Sequence, residues 1–277
     1  MESSWPIQSL LSKSFYLPIF LFFFLISTGN AAETKRVHVF VALCDNEHQG
    51  IVPTTKTLGD GANPRTNLYW GAMYGVPSLF RKSKGWKKEK LVLAPDRKEI
   101  LARCAFSGHG VFMLAEAYDG RFMKRTILDF LGAAAGSYEP EFSFTKGEKS
   151  KWGGAADLVV FIGHNGLMDF SLDSLPPVAD KGPAGAIVLA CKSNSHFSPI
   201  LLKYGCTPLV MTKGFMAPEA YTLEAVLRSW SKGEDVVVLR KAAAQAYSDY
   251  QKQCSLAAAS RLFLVPKTKT PQRKTGG

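Results

Sequence analysis

The chain has 277 residues, of which 46% are hydrophobic, 12% aromatic and 21% charged, with 24 Gly and 15 Pro. This composition excludes a disordered, collagen-like or polytopic membrane chain, and five cysteines are too few for a disulfide-built scaffold, so the fold must rest on a hydrophobic core. Lys and Arg outnumber Asp and Glu by 34 to 23, and the resulting +11 draws anionic partners non-specifically without indicating any chemistry.

Residues 15–26 (FYLPIFLFFFLI) are an apolar run that follows Lys13 and precedes Ser27, Thr28, Gly29, Asn30, Ala31 and Ala32. That is the order of a secretory signal, and the run is shorter than the roughly 20 apolar residues that a membrane span needs. Cleavage after Ala31 or Ala32 is preferred over an uncleaved anchor, although Glu2 offsets Lys13 and weakens the basic n-region. The predicted organisation is a signal peptide over 1–32, one α/β domain over 33–266, and a basic, disordered tail over 267–277. The expected location is secreted or periplasmic.

Several short apolar runs lack the alternation of a strand with one wet face: VHVFVALC at 37–44, LVLA at 91–94, LVVFIG at 158–163, AIVLAC at 186–191 and LVMT at 209–212. Strands covered on both faces read this way. VFMLAEAY at 111–118 is a further strand candidate. The polar stretch 45–67 has no predicted element, and a short helix is expected over LYWGAMYG at 68–75. Helices are predicted over 121–135, closed by Gly136, and over 196–204, closed by Gly205. Pro218 opens another, with Met216, Ala220, Leu223, Leu227 and Trp230 on one face and Gly233 at its end. Asp235 caps the next, which buries Leu239, Ala243, Ala246 and Tyr250, and LFLV at 262–265 supplies a last edge strand. Strands alternating with helices predict a mostly parallel sheet with helices on both faces, with the reactive site beyond the carboxyl ends of the strands.

That rule singles out the residues ending each run: Cys44 and Asp45, then His164, then Cys191. His164 and Cys191 lie 27 positions apart, enough for a crossover that returns the chain parallel and lets both side chains face one cleft. A thiol, an imidazole and nearby N–H donors are what thiolate attack on a carbonyl requires. His196 competes as the base, and Asp169 and Asp173 are candidates to orient His164. The long loop offers Asp45, Asn46, His48, Asn63, Arg65 and Trp70 as substrate contacts. Cys44 and His48 lack a second matched pair for a metal, and neither a metal nor a cofactor is called for. Cys44, Cys104, Cys206 and Cys254 either pair, in one of three ways that leave Cys191 free, or all five thiols are reduced. The basic patch at 81–90 around Trp86 reads as a solvated face rather than a specific nucleic-acid site.

A hydrophobic strand ending in His-Gly followed by one ending in Ala-Cys resembles the caspase-like superfamily of cysteine peptidases, over about residues 157–214. The resemblance implies a caspase-like three-layer sandwich and a cysteine-type endopeptidase acting on peptide or protein substrates. It also implies His164 as general acid and base, Cys191 as nucleophile, and Lys192 as the basic residue after the nucleophile. Where the family has Gly directly after His, this chain has Asn165 before Gly166, so the oxyanion donor is the N–H of Asn165, that of Gly166, or neither. Substrate-binding groups are implied at the end of the first strand, here Asp45 and Asn46, and in 212–216, which includes Lys213. Asp45 favours a basic side chain in the substrate, and Lys192 and Lys213 oppose it. A catalytically inactive binding module on the same fold, at the cell surface or in the periplasm, is the alternative that the inserted Asn165 favours, and acyl transfer on a non-peptide substrate is a third reading.

Overall fold

Val37, Val39 and Val41 face one side of their strand and Phe40 and Ala42 the other, and all five are sealed from solvent. Such a strand needs cover on both faces, and it lies in the middle of the sheet. The computed structural model describes residues 1–2, 34–145, 147 and 149–264. The apolar segment at 15–26, its cleavage site and the tail at 267–277 lie outside the described residues. Contacts divide the chain into Met1–Ala32 and Glu33–Gly277. Everything below concerns the second unit. No helix among the described residues is long and apolar enough to cross a membrane.

In chain order the elements are β1 (Lys35–Ala42), α1 (Val76–Lys82), β2 (Lys87–Glu89), β3 (Leu91–Leu93), β4 (Ile100–Gly108), β5 (Val111–Tyr118), α2 (Met123–Ala134), β6 (Glu141–Phe144) and β7 (Ser150–Lys151). They continue with β8 (Leu158–Ile162), β9 (Gly185–Leu189), α3 (Ser193–Lys203), β10 (Thr207–Thr212), α4 (Ala220–Ser231), α5 (Val236–Tyr250), α6 (Leu256–Leu262) and β11 (Phe263–Leu264). An eight-stranded sheet runs in the order β11-β10-β9-β8-β1-β5-β4-β2. From β10 to β5 neighbouring strands are parallel, whereas β11, at one edge, and β4, near the other, run antiparallel to their parallel neighbours. One face carries Val39, Val160 and Ile187 against Phe80 of α1, Leu227 of α4 and Ala243 of α5. The other carries Phe40, Phe161 and Val188 against Phe130 of α2 and Phe197 of α3. Each such ring contributes roughly 1.5–3 kcal/mol of transfer free energy.

The α/β class, the mostly parallel sheet and the helix signals at Gly136, Gly205, Gly233 and Asp235 agree with the sequence reading. Asp235 accepts from the N–H groups of Val237 and Val238 as expected of a cap. Other expectations fail for physical reasons. LVLA does not join the main sheet: β3 pairs with β6 in a separate three-stranded sheet, leaving Val92 and Leu93 exposed. LYWGAMYG forms successive turns instead of a helix, and the helix begins at Val76, where Pro77 suits a first turn. The sequence reading lacked β4 because ILARCAFSG has no continuous apolar run. Its signal was the turn that follows, where His109 and Gly110 both have positive φ (51° and 74°), the backbone of a two-residue hairpin.

All five cysteines are free thiols. Cys44 and Cys104 pack on one face of the sheet and Cys206 on the other, which separates two of the four candidate partners from the third. Trp86, the centre of the basic patch, is buried and donates its indole N–H to Glu224, while Lys87 and Lys88 point outward from an edge strand, where lysines discourage pairing with another chain.

Candidate functional site

Ile162 and Leu189 are the last paired residues of β8 and β9, so His164 and Cys191 each stand two residues beyond the same rung. Gly163 makes the approach possible: its φ is 151°, and a Cβ there would lie 2.8 Å from the Ala42 carbonyl oxygen. Asn165, which follows His164, is fully buried. Its carbonyl side-chain oxygen accepts from the Leu167 N–H, capping a single 3-10 turn, while its amide donates 2.7 Å to the Cys191 carbonyl. The inserted asparagine therefore ties the histidine end to the cysteine end.

Cys191 sits on a sharp strand-to-helix turn. Lys192 follows in the left-handed region, with φ 48°, a conformation that costs a residue with a Cβ on the order of 1 kcal/mol and is held only when its surroundings impose it. Those surroundings are visible. Lys192 N–H donates to the Gly214 carbonyl, the Ser193 hydroxyl donates to the Val188 carbonyl and accepts from the Thr212 N–H, and the Thr212 hydroxyl donates to the Ala190 carbonyl and accepts from the Ser193 N–H.

The 3-10 turn carries Asp169 back to the imidazole, whose Nε2 lies 2.7 Å from Oδ2. The same carboxylate accepts from the Gly50 N–H, so the long loop is anchored on the group that holds His164. Nδ1 of His164 has no hydrogen-bond partner among the described residues and is the nitrogen left for proton transfer. Asp173 is not an orienting group, because it pairs with Lys124 on the surface. Neither histidine hydrogen-bonds the thiol, and Nδ1 of His196, unlike that of His164, is engaged, lying among the Asn165 amide, the Ser195 hydroxyl and the Lys192 carbonyl.

The partly buried Cys191 sulfur is clasped by one residue, accepting from the Met216 N–H at 3.4 Å and donating to the Met216 carbonyl at 3.5 Å. Burial raises the thiol above its ordinary value, and the Met216 N–H and the Lys192 charge pull it down only in part. The resting sulfur is thus protonated at neutral pH. Of the expected oxyanion donors, the Gly166 N–H already donates to the His164 carbonyl, whereas the Asn165 N–H has no acceptor among the described residues.

The loop residues divide. Asp45 accepts from the Glu47 and His48 N–H groups and pairs with the His48 ring at 2.8 Å, so its charge is satisfied. Asn46 is locked to Thr54 by two reciprocal bonds, Asn63 accepts from the Arg65 N–H in a turn, Arg65 points to solvent, and Trp70 lies in the core. Asp45, His48, Lys56, Asp60 and Arg121 line a cavity of about 550 Å³ at the ends of β1 and β5. Lys213 is exposed, and the Lys192 ammonium rests 4.7 Å over the ring of Phe215, itself 68% exposed. The sequence reading missed Tyr247, whose hydroxyl accepts from the Ala217 N–H next to the Met216 clasp and which no local pattern marks.

Comparisons with known protein families, with curated proteins and with solved structures find no match.

Proposed function

We propose that the chain is an exported caspase-like cysteine hydrolase, a peptidase, that forms a thioester on Cys191 with His164 as proton carrier. The observation that carries this reading is the shared register of His164 and Cys191 at the carboxyl ends of adjacent parallel strands, reinforced by the Asn165 amide between them. The three-layer arrangement of sheet and helices agrees with a caspase-like sandwich, and the apolar run at 15–26 supports export. The chemistry follows from the groups present. With substrate bound, the Cys191 proton passes to Nδ1 of His164 while the sulfur attacks the carbonyl carbon, and the oxyanion forms beside the Asn165 N–H. The imidazolium returns its proton to the leaving amine, and water then hydrolyses the thioester. Asp169 fixes the ring and stabilises its charged state.

A second reading has a specific observation in its favour: a sulfur clasped by Met216 and held as the neutral thiol suits a binding module. One labelling experiment separates the two. A peptidyl acyloxymethyl ketone should modify native Cys191 at least tenfold faster than the unfolded chain, and Cys191→Ala should abolish both labelling and peptide turnover. Labelling no faster than in the unfolded chain, with retained binding by Cys191→Ala, establishes the binding module instead.

A further inference from the structure

Six cations stand exposed within ten positions, at the end of α1 and on and around β2: Arg81, Lys82, Lys84, Lys87, Lys88 and Lys90. None has a carboxylate within ion-pair distance among the described residues. Glu89, the one acid in the run, accepts from the Ser107 hydroxyl instead. The run is also pinned. Trp86 anchors it from beneath, with its ring 4.8 Å from that of Phe80 in α1 and its indole N–H on Glu224 of α4. Like charges fixed side by side repel one another, and an anionic surface relieves that cost. Lys88, Lys90 and Arg103, with Glu89 beside them, line a cavity of about 410 Å³ between β2, β3 and β4, room for a phosphate group.

Cations alone suit any polyanion. The next strand adds something a hydrophilic polyanion cannot use: Val92 and Leu93 on β3 are 61% and 45% exposed, and β3 has a neighbour on one side only. Exposed apolar side chains beside a row of lysines are what a lipid interface takes up, with acyl chains for the first and phosphates for the second. The path of the chain points the same way. Lys87 shares a rung with Ser107, Phe112 and Arg36, so β2 lies level with the amino-terminal end of β1. There the Lys35 N–H donates to the Gly110 carbonyl, and the neighbouring His109 ring donates to the Lys84 carbonyl. The chain coming from the apolar run at 15–26 therefore enters the domain at the end that carries the cations.

We propose that residues 81–93 form a docking surface for an acidic phospholipid membrane, the cations meeting headgroup phosphates and Val92 and Leu93 entering the interface. The inference does not rest on the hydrolase reading. His164 stands beyond the carboxyl ends of the strands and four strands from β2, about 19 Å across the sheet, so a membrane held at this edge leaves the Cys191 site open.

Flotation of the full chain with vesicles tests it, using phosphatidylcholine alone and phosphatidylcholine with about a third phosphatidylglycerol. The apolar run contributes equally to both vesicles and to every variant, so only differences are read. The wild-type protein should partition at least about tenfold better onto the acidic vesicles, and Lys87→Glu/Lys88→Glu should remove most of that gain. Lys203→Glu/Lys241→Glu, the same change of charge on exposed lysines of α3 and α5, should keep it within about twofold. Val92→Ser/Leu93→Ser should lower partitioning onto acidic vesicles about threefold. No preference for acidic vesicles overturns the proposal, as do equal losses in the two lysine pairs, which mean attraction by net charge alone. Partitioning unchanged in Val92→Ser/Leu93→Ser also overturns it and leaves a polyanion site, read as heparin binding that Lys87→Glu/Lys88→Glu abolishes.

Discussion

Two histidine–carboxylate pairs, one inside the sheet and one just beyond its strand ends, have opposite fates. His38 on β1 meets Glu116 on β5 at 3.1 Å, with both side chains sealed. Its other nitrogen accepts from the Gly153 N–H, and Arg103 closes the second carboxylate oxygen at 2.7 Å. At the rim, His164 meets Asp169 at 2.7 Å, but the carboxylate is part-exposed and Nδ1 is unoccupied among the described residues. In both places Nε2 faces a carboxylate oxygen within hydrogen-bond distance. What separates a structural pair from a candidate catalytic one is a ring nitrogen left without a partner among the described residues, beside a carboxylate that reaches solvent.

The contrast breaks first through stability. His38→Ala leaves Glu116 Oε2 and the Gly153 N–H without partners inside the protein, while Arg103 still holds Oε1, and should cost about 2–5 kcal/mol in denaturant unfolding. In the wild-type protein burial works to raise the Glu116 carboxyl, yet His38 and Arg103 outweigh it and hold it below the ordinary carboxylate value. Its stabilising contribution is therefore complete above about pH 4.3 and fades as pH falls below that. If His38→Ala unfolds at the wild-type midpoint, the interior pair is not structural.

Reactivity sharpens the same contrast at the rim. His164→Ala should slow acyloxymethyl ketone labelling of Cys191 about a hundredfold and, because the side chain is buried, should also cost about 1–3 kcal/mol of stability. Asp169→Asn should slow it about tenfold, since the ring keeps a partner but loses the charge that orients it. A His164→Ala protein labelled at the wild-type rate removes His164 from the chemistry.

The thiols extend the comparison with the smallest effect per site. Burial raises Cys104 and Cys206 to about 12 and Cys44 to about 11. A thiol raised in the folded state contributes stability that is fully present below its unfolded value near 8.5 and is lost as pH rises through the folded value. At pH 10 the loss is about 2 kcal/mol for each sealed thiol, read as a fall in unfolding free energy between pH 8 and pH 10. Cys206→Ala should flatten that slope by one thiol's share, and an unchanged slope excludes burial as the cause.

Composition and local pattern were enough to find the central strands, because a strand covered on both faces must be apolar at every position, and enough to find the caps at Gly136, Gly205 and Asp235, because those ends have few chemical solutions. Strand ends also marked His164 and Cys191, since a parallel sheet exposes side chains only where its strands stop. Position along the chain could not say which partners satisfy an acid near those ends. Asp45 and Glu219 look alike as letters, and only folding shows that backbone N–H groups and His48 complete the first while the Tyr221 hydroxyl and the Gln251 amide meet the second. The role of Asn165, the failure of LYWGAMYG to become a helix and the separate sheet holding β3 were decided in the same way. Each depends on partners distant in sequence, and hydrogen-bond satisfaction and burial are properties of the assembled chain rather than of any window within it.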